Sequence, residues 1–184
     1  MVRRSLPAAP MLGILAIAAL VSACAPSLGP PPPAAAPPMP MGSVSFSAAD
    51  FAWSQRPGGN IIAGRLAYKQ GAVRYTCAGS SVVLTPETPW SSRRMAALYG
   101  STDRAALPTD EVRARTPKAP AGDAGPYVKR TTCDEADQFA FGGLADGAWY
   151  LITVVKPAGD PRGAGMALMR RVVVHGGKTA AVAL

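Results

Sequence analysis

The chain is short of the residues on which most enzyme chemistry depends. Its 184 residues include one histidine and three cysteines. A single imidazole excludes a multi-histidine metal centre and leaves no partner for an imidazole relay. Charge is also scarce, at 16% of residues, where a soluble domain usually carries roughly a quarter. No apolar run is long enough to cross a bilayer comfortably, the apolar centre of the uncharged stretch near the start being residues 11–21. Glycine and proline, by contrast, number 19 each. Together they make about a fifth of the chain, which predicts turns and linkers in place of long helices. The length suits one ordinary domain with extensions.

Residues 1–23 have the layout of an export leader. Arg3 and Arg4 precede an uncharged segment that ends in Val21-Ser22-Ala23-Cys24. This ending resembles the lipobox of bacterial lipoproteins. The resemblance implies that Cys24 is acylated and becomes the N-terminus, leaving 161 residues from 24 to 184. An uncleaved membrane anchor and a leader cut elsewhere are the alternatives. Alanine at position 25, where an aspartate would retain the protein at the inner membrane, implies the bacterial outer membrane, with the domain facing the periplasm. Several buried acyl chains, each methylene contributing about 0.8 kcal/mol, make such attachment durable. Residues 24–42 follow as a lipidated cysteine and a linker, with eight prolines and no charge. This composition predicts an extended tether without a core, rising about 3.1 Å per residue.

From residue 43 to 184 the pattern becomes that of a β domain. Residues 60–68 alternate, placing Ile62, Gly64, Leu66 and Tyr68 on one face. Short runs at 72–77, 80–85, 127–133 and 137–141 follow the same rule. At 148–156, Trp149, Leu151, Thr153 and Val155 oppose Tyr150, Ile152 and Val154. Two last runs, 166–174 and 179–184, are split by His175-Gly176-Gly177. About seven short strands with turn signals between them predict an all-β fold, an antiparallel β-sandwich. Residues 89–99 depart from this, with Met95, Leu98 and Tyr99 at helical spacing and Gly100 at the stop position, so one short helix is expected. Residues 101–125 are expected to form a long surface insertion, disordered in part.

The segment Thr131-Thr132-Cys133-Asp134, continuing through Phe139-Ala140-Phe141 and Leu144-Ala145-Asp146-Gly147-Ala148-Trp149-Tyr150-Leu151, resembles the signature of carboxypeptidase regulatory-like, prealbumin-like domains. Ile62-Ala63-Gly64-Arg65-Leu66 and Val82-Val83-Leu84-Thr85-Pro86 are similar to that family's opening strands. Cys133, Trp149 in place of a tyrosine, and the insertion depart from the pattern. The resemblance implies a prealbumin-like sandwich and an accessory or binding role. It implies no activity, because the hydrolases of this fold that open a purine-derived ring use several histidines.

With Cys24 assigned to lipid, Cys77 and Cys133 remain, and an exported domain most simply joins them in a disulfide. Two buried free thiols, or a redox pair, are the rival readings. Closing a loop of this size stabilises by roughly 4 kcal/mol in the chain-entropy account. His175 reads as a solvated turn residue. Asp134, Glu135 and Asp137 lack the order of a calcium loop and read as a solvated turn. Ser80-Ser81, Gly58-Gly59 and Gly142-Gly143 read as turn chemistry. The net charge is +8, and loss of Arg3 and Arg4 with the leader brings it to +6. Arg93, Arg94, Arg104, Arg113, Arg115 and Lys118 fall on the helix and insertion as a candidate basic contact surface; a solvated face is the plainer alternative. The reading is a non-catalytic, lipid-anchored envelope binding or interaction module, with a structural spacer as the alternative and an enzyme a distant third. No cofactor or metal is expected. Expected partners are the membrane, through the lipid, and a protein or anionic envelope polymer, not nucleic acid.

Overall fold

The computed structural model describes residues 45–117 and 122–184; the leader, Cys24 and the whole of the linker lie outside them. A first helical turn, α1 (Ala48–Phe51), runs into a 3-10 turn (Ala52–Gln55). The chain then forms β1 (Asn60–Arg65), β2 (Lys69–Gln70), β3 (Val73–Thr76), β4 (Ser81–Pro86) and α2 (Pro89–Tyr99). After these come β5 (Arg104–Pro108), α3 (Thr109–Arg115), β6 (Lys129–Thr132), β7 (Gln138–Leu144), β8 (Gly147–Pro157), β9 (Met166–Val174) and β10 (Thr179–Ala183).

Two sheets face each other. The smaller has the order β10-β1-β7, and the larger runs β6-β4-β8-β9-β5, with β3 and then β2 continuing from the far end of β8. All pairs among the described residues are antiparallel except β1 with β10, where Ile62 lies beside Ala180. That parallel pair arises because β9 belongs to the larger sheet and the chain crosses to the smaller one at residues 175–178. The coarse expectation of an all-β sandwich is met by two sheets that make up most of the regular structure, while the parallel β1–β10 pair departs from a wholly antiparallel one and α1 and α3 add to the one helix expected.

β8 explains the layering. Trp149, Leu151, Thr153 and Val155 are at most 2% exposed and point between the sheets. There they meet Ile62, Phe139, Phe141 and Val182 of the smaller sheet. Tyr150 and Ile152 point the other way, into a second cluster with Ala167, Met169 and the Met95, Leu98 and Tyr99 face of α2. A helix thus roofs the outer face of the larger sheet. Its ends follow local rules: Thr88 accepts from the Ser91 N–H while Ser91 Oγ accepts from the Thr88 N–H, and Pro89 occupies the first turn. Gly100 closes it at φ 69°, left-handed, with its N–H on Ala96 O.

Gly64 has a packing reason to be glycine. It pairs with Phe139 across the strands, and a Cβ there would lie 2.1 Å from the Phe139 ring. The strand can bury an aromatic ring against its own backbone only with hydrogen at this place.

The described part of the insertion carries regular structure. Residues 104–108 add an edge strand to β9, Ala105 beside Met169 and Leu107 beside Ala167. α3 follows directly. Five residues of Arg, Ala, Leu and Pro carry little strand propensity, and the open edge of β9 supplies the pairing. Residues 118–121 lie outside the described chain. The short turn of helix before β1 was not anticipated either; it sets Trp53 edge-on to Trp149 at 5.1 Å and closes that end of the core.

Trp149→Ala should lower stability by about 3–5 kcal/mol, as loss of a buried indole does. Gly64→Ala should cost about 1–3 kcal/mol by displacing the Phe139 ring. Urea unfolding followed by tryptophan fluorescence measures both, and an unchanged midpoint for either would contradict this packing.

Candidate functional site

The ends of β1 are held by two polar clamps. At one end Cys77 and Cys133 form the disulfide, Cα atoms 5.7 Å apart and both side chains buried. Asp137 sits beside it at φ 60°, a left-handed conformation that aspartate tolerates better than most residues. Its Oδ1 accepts from Thr76 Oγ1 at 2.6 Å and from the Cys77 N–H at 2.8 Å. Its carbonyl accepts from the Leu66 N–H at 2.9 Å, just past the end of β1. Asp134 folds the turn by accepting from the N–H groups of Ala136 and Gln138. The expectation of a solvated turn is right for Asp134 and Glu135. It fails for Asp137, which is 9% exposed and joins β3, β7 and the end of β1. Ligand atoms of Cys77, Cys133 and Asp137 lie within 4.8 Å of one another, but the sulfurs are bonded together and offer no thiolate.

The opposite end is held by Asn60, wholly buried. Its amide donates to Leu144 O at 2.9 Å and to Asp146 Oδ1 at 2.8 Å, and its carbonyl accepts from the Lys178 N–H. Asp146 also accepts from the Gly176 N–H. The Asn60 hydrogen bond first, and the Gly176 N–H second, hold the Asp146 carboxyl below its ordinary value. His175 is exposed in the same turn, as expected.

A third polar cluster lies under the start of α2. The Tyr150 hydroxyl meets Ser92 Oγ at 3.0 Å and Glu87 Oε1 at 3.2 Å, while Glu87 Oε2 is 2.7 Å from Arg171. Burial is the main cause that raises the Tyr150 hydroxyl above its usual range. The groups satisfy one another, and the cluster works as a structural seat for the helix.

The basic residues singled out from the sequence are spread over α2, β5 and α3, and most have intramolecular partners. Arg104 pairs with Asp103, Arg113 with Asp110 and Arg115 with Glu111; Arg115 also donates to Leu98 O. Arg94 lies 5.6 Å over the Trp90 ring. Arg93 stands on the same helix, exposed. Lys118 lies outside the described residues. Three of the five thus sit beside carboxylates one to four residues away, which lowers their field at a distance.

A different cationic surface lies beside the disulfide corner. A cleft of about 360 Å³ opens between the end of β1, the β2–β3 hairpin and the β6–β7 turn. Arg65, Lys69 and Arg74 line it, with Tyr68, Gln138 and Asp137. Tyr68 and Tyr75 meet edge to face at 5.2 Å. Burial first, and the neighbouring Tyr75 second, raise the Tyr68 hydroxyl above its usual value. Tyr68 also lines a second cleft of about 270 Å³, toward β5 and β9, where Arg104 and Arg170 stand. Sequence reasoning missed Arg65, Lys69 and Arg74 because they are dispersed along the chain. A usable signal was present: Gly71 begins a two-residue loop, which sets Lys69 opposite Arg74.

No protein-family model matches this chain, and no curated protein matches it. Among solved structures it is similar to a candidate carbohydrate-binding protein of Pseudomonas aeruginosa. The two share 21% of residues, with a TM-score of 0.53, over 76% of this chain and 96% of the other. At that identity the likeness carries the fold, and it extends over nearly the whole of the other chain.

Replacing both Cys77 and Cys133 by serine should remove about 4 kcal/mol of stability, read as the drop in urea midpoint between otherwise identical oxidised proteins. For Asp146 the folded value lies below the unfolded one, so its stabilisation is present above the ordinary carboxylate range and disappears as pH falls through the folded value. Asp146→Asn should therefore be less stable than the parent at neutral pH and converge with it in acid. Thermal midpoints measured from pH 7 down to pH 3 would show a constant gap if Asp146 contributed nothing through its charge.

Proposed function

We propose that this chain is a lipid-anchored, non-catalytic binding module of the bacterial envelope, a prealbumin-like sandwich held by Cys24 to the outer membrane and presented by the proline-rich tether. The observation that carries the reading is the cleft between β1, the β2–β3 hairpin and the β6–β7 turn, where exposed cations flank a tyrosine ring. The cleft is concave and mostly polar, with several polar groups converging beside one aromatic ring, and such groups orient a ligand. The carbohydrate-binding description of the structural neighbour supports binding over catalysis. Use of the buried polar groups supports it too: Asn60, Thr88, Ser91 and Asp137 all hold the fold together by hydrogen bonds. On this reading the partner is an envelope polymer or protein and nucleic acid is not bound.

The membrane half of the proposal rests on Val21-Ser22-Ala23-Cys24. Intact-mass measurement of protein extracted from envelopes should give a chain starting at Cys24 with added acyl mass. Cys24→Ser should abolish that modification and the mature form with it. An unmodified chain that washes from membranes in salt would overturn the anchor. For the binding half, affinity electrophoresis through gels containing purified envelope polysaccharides should retard the protein, and equal mobility in every gel would overturn it.

A further inference from the structure

The β2–β3 hairpin contains a conflict that folding alone does not explain. Lys69 lies directly opposite Arg74, and like charges facing each other across antiparallel strands repel. The turn that sets this register depends on Gly71 at φ 59°, so neither cation is needed to form it. Arg65, the last residue of β1, brings a third positive charge to the same cleft. Among the described residues, Arg65 and Lys69 have no ion-pair partner, and Arg74 has only Asp137 Oδ2, at 3.8 Å with the arginine side chain 68% exposed. Such an exposed contact is weak. Local repulsion kept at an exposed place is a mark of function.

The wall of the cleft narrows the ligand. Tyr68 lines the cleft as an aromatic ring packed against Tyr75, and Gln138 lines it too. A neutral glycan could pack on the ring but would leave the three cations repelling. A bare polyanion would answer the charges but leave the ring unused. A sugar ring bearing a carboxylate does both: its apolar face fits tyrosine, and its carboxylate accepts from guanidinium and ammonium donors. Tyr68 also borders the second cleft, with Arg104 and Arg170, so a ligand longer than one ring can continue past it between further cations.

Resting on the binding-module reading above, we propose that the cleft holds an acidic polysaccharide, a polymer of carboxylated sugars, with a ring against Tyr68 and its carboxylates shared among Arg65, Lys69 and Arg74. The test uses the full chain in detergent and affinity electrophoresis with polygalacturonate, dextran and polyphosphate. Polygalacturonate should retard the protein most strongly, with retardation fading as salt rises. Arg65→Gln with Lys69→Gln should weaken the apparent affinity about tenfold, as loss of two partly exposed charged contacts would. Arg93→Gln with Arg113→Gln, on α2 and α3 and outside both clefts, should leave it within about twofold. Lys69→Gln alone should keep or raise the thermal midpoint, since it relieves the repulsion. Equal retardation by dextran and polygalacturonate would overturn the acidic selectivity while leaving a carbohydrate module. Equal or stronger retardation by polyphosphate would overturn the saccharide. A lowered midpoint for Lys69→Gln, or equal loss in the Arg93 and Arg113 variant, would overturn the site. Retardation in none of the gels would overturn this inference, whereas the binding-module reading would still be tested against the envelope polysaccharides themselves.

Discussion

From Trp149 to Thr153 β8 is covered on both faces, and that constraint orders the rest of the molecule. One face of the strand places Trp149, Leu151 and Val155 against the smaller sheet, while the other places Tyr150 and Ile152 under α2. A strand with two apolar faces cannot stand at the surface of a two-layer sandwich unless something covers its back. α2 supplies the cover, and β9 and β5 extend it with Ala167, Met169, Ala105 and Leu107. The helix therefore belongs to the sheet's energetics as much as any strand. Moving β8 by one residue would exchange its two faces and put Trp149 under the helix and Tyr150 in the main core. The Tyr150 hydroxyl would then lose Ser92 and Glu87, the partners that make its burial acceptable.

The polar clamps at the two ends of β1 solve a different problem. Strand ends leave backbone donors and acceptors unmatched, and water cannot serve those that are enclosed. Asn60 and Asp137 answer with short, many-armed side chains, each reaching several backbone or side-chain partners. The disulfide lies beside Asp137, so covalent and hydrogen-bonded restraints reinforce the same corner. A rigid corner then forms the floor beside which Arg65, Lys69 and Arg74 are displayed.

How much of this could be read beforehand depends on the range of each interaction. β9 falls on the residues its pattern indicates, 166–174, and α2 on 89–99, because alternation, helical spacing and a stop glycine are local signals. The pairing of Cys77 with Cys133 was open to simple arithmetic, since two thiols were left once one was set aside. β5 was not readable, because Arg104–Pro108 is a strand only by virtue of the β9 edge beside it. Asp137 looked like one more acidic turn residue, and nothing in its neighbours announces that it turns inward. The basic residues of α2 and the insertion drew attention by their density along the chain. Density in sequence is a poor guide to charge in space: Arg104, Arg113 and Arg115 have carboxylates one to four residues away.

The amino-acid order by itself determined the strand faces, the helix α2 and the supply of thiols, all of which follow from periodicities of two and 3.6 and from counting. Only the folded chain decided which edges pair, which acid is buried, and where uncompensated positive charge gathers. The reason is geometric. Arg65 ends one strand of the smaller sheet, while Lys69 and Arg74 belong to a hairpin hung from the larger sheet, and these meet at one cleft only after β1 and β8 have taken their places.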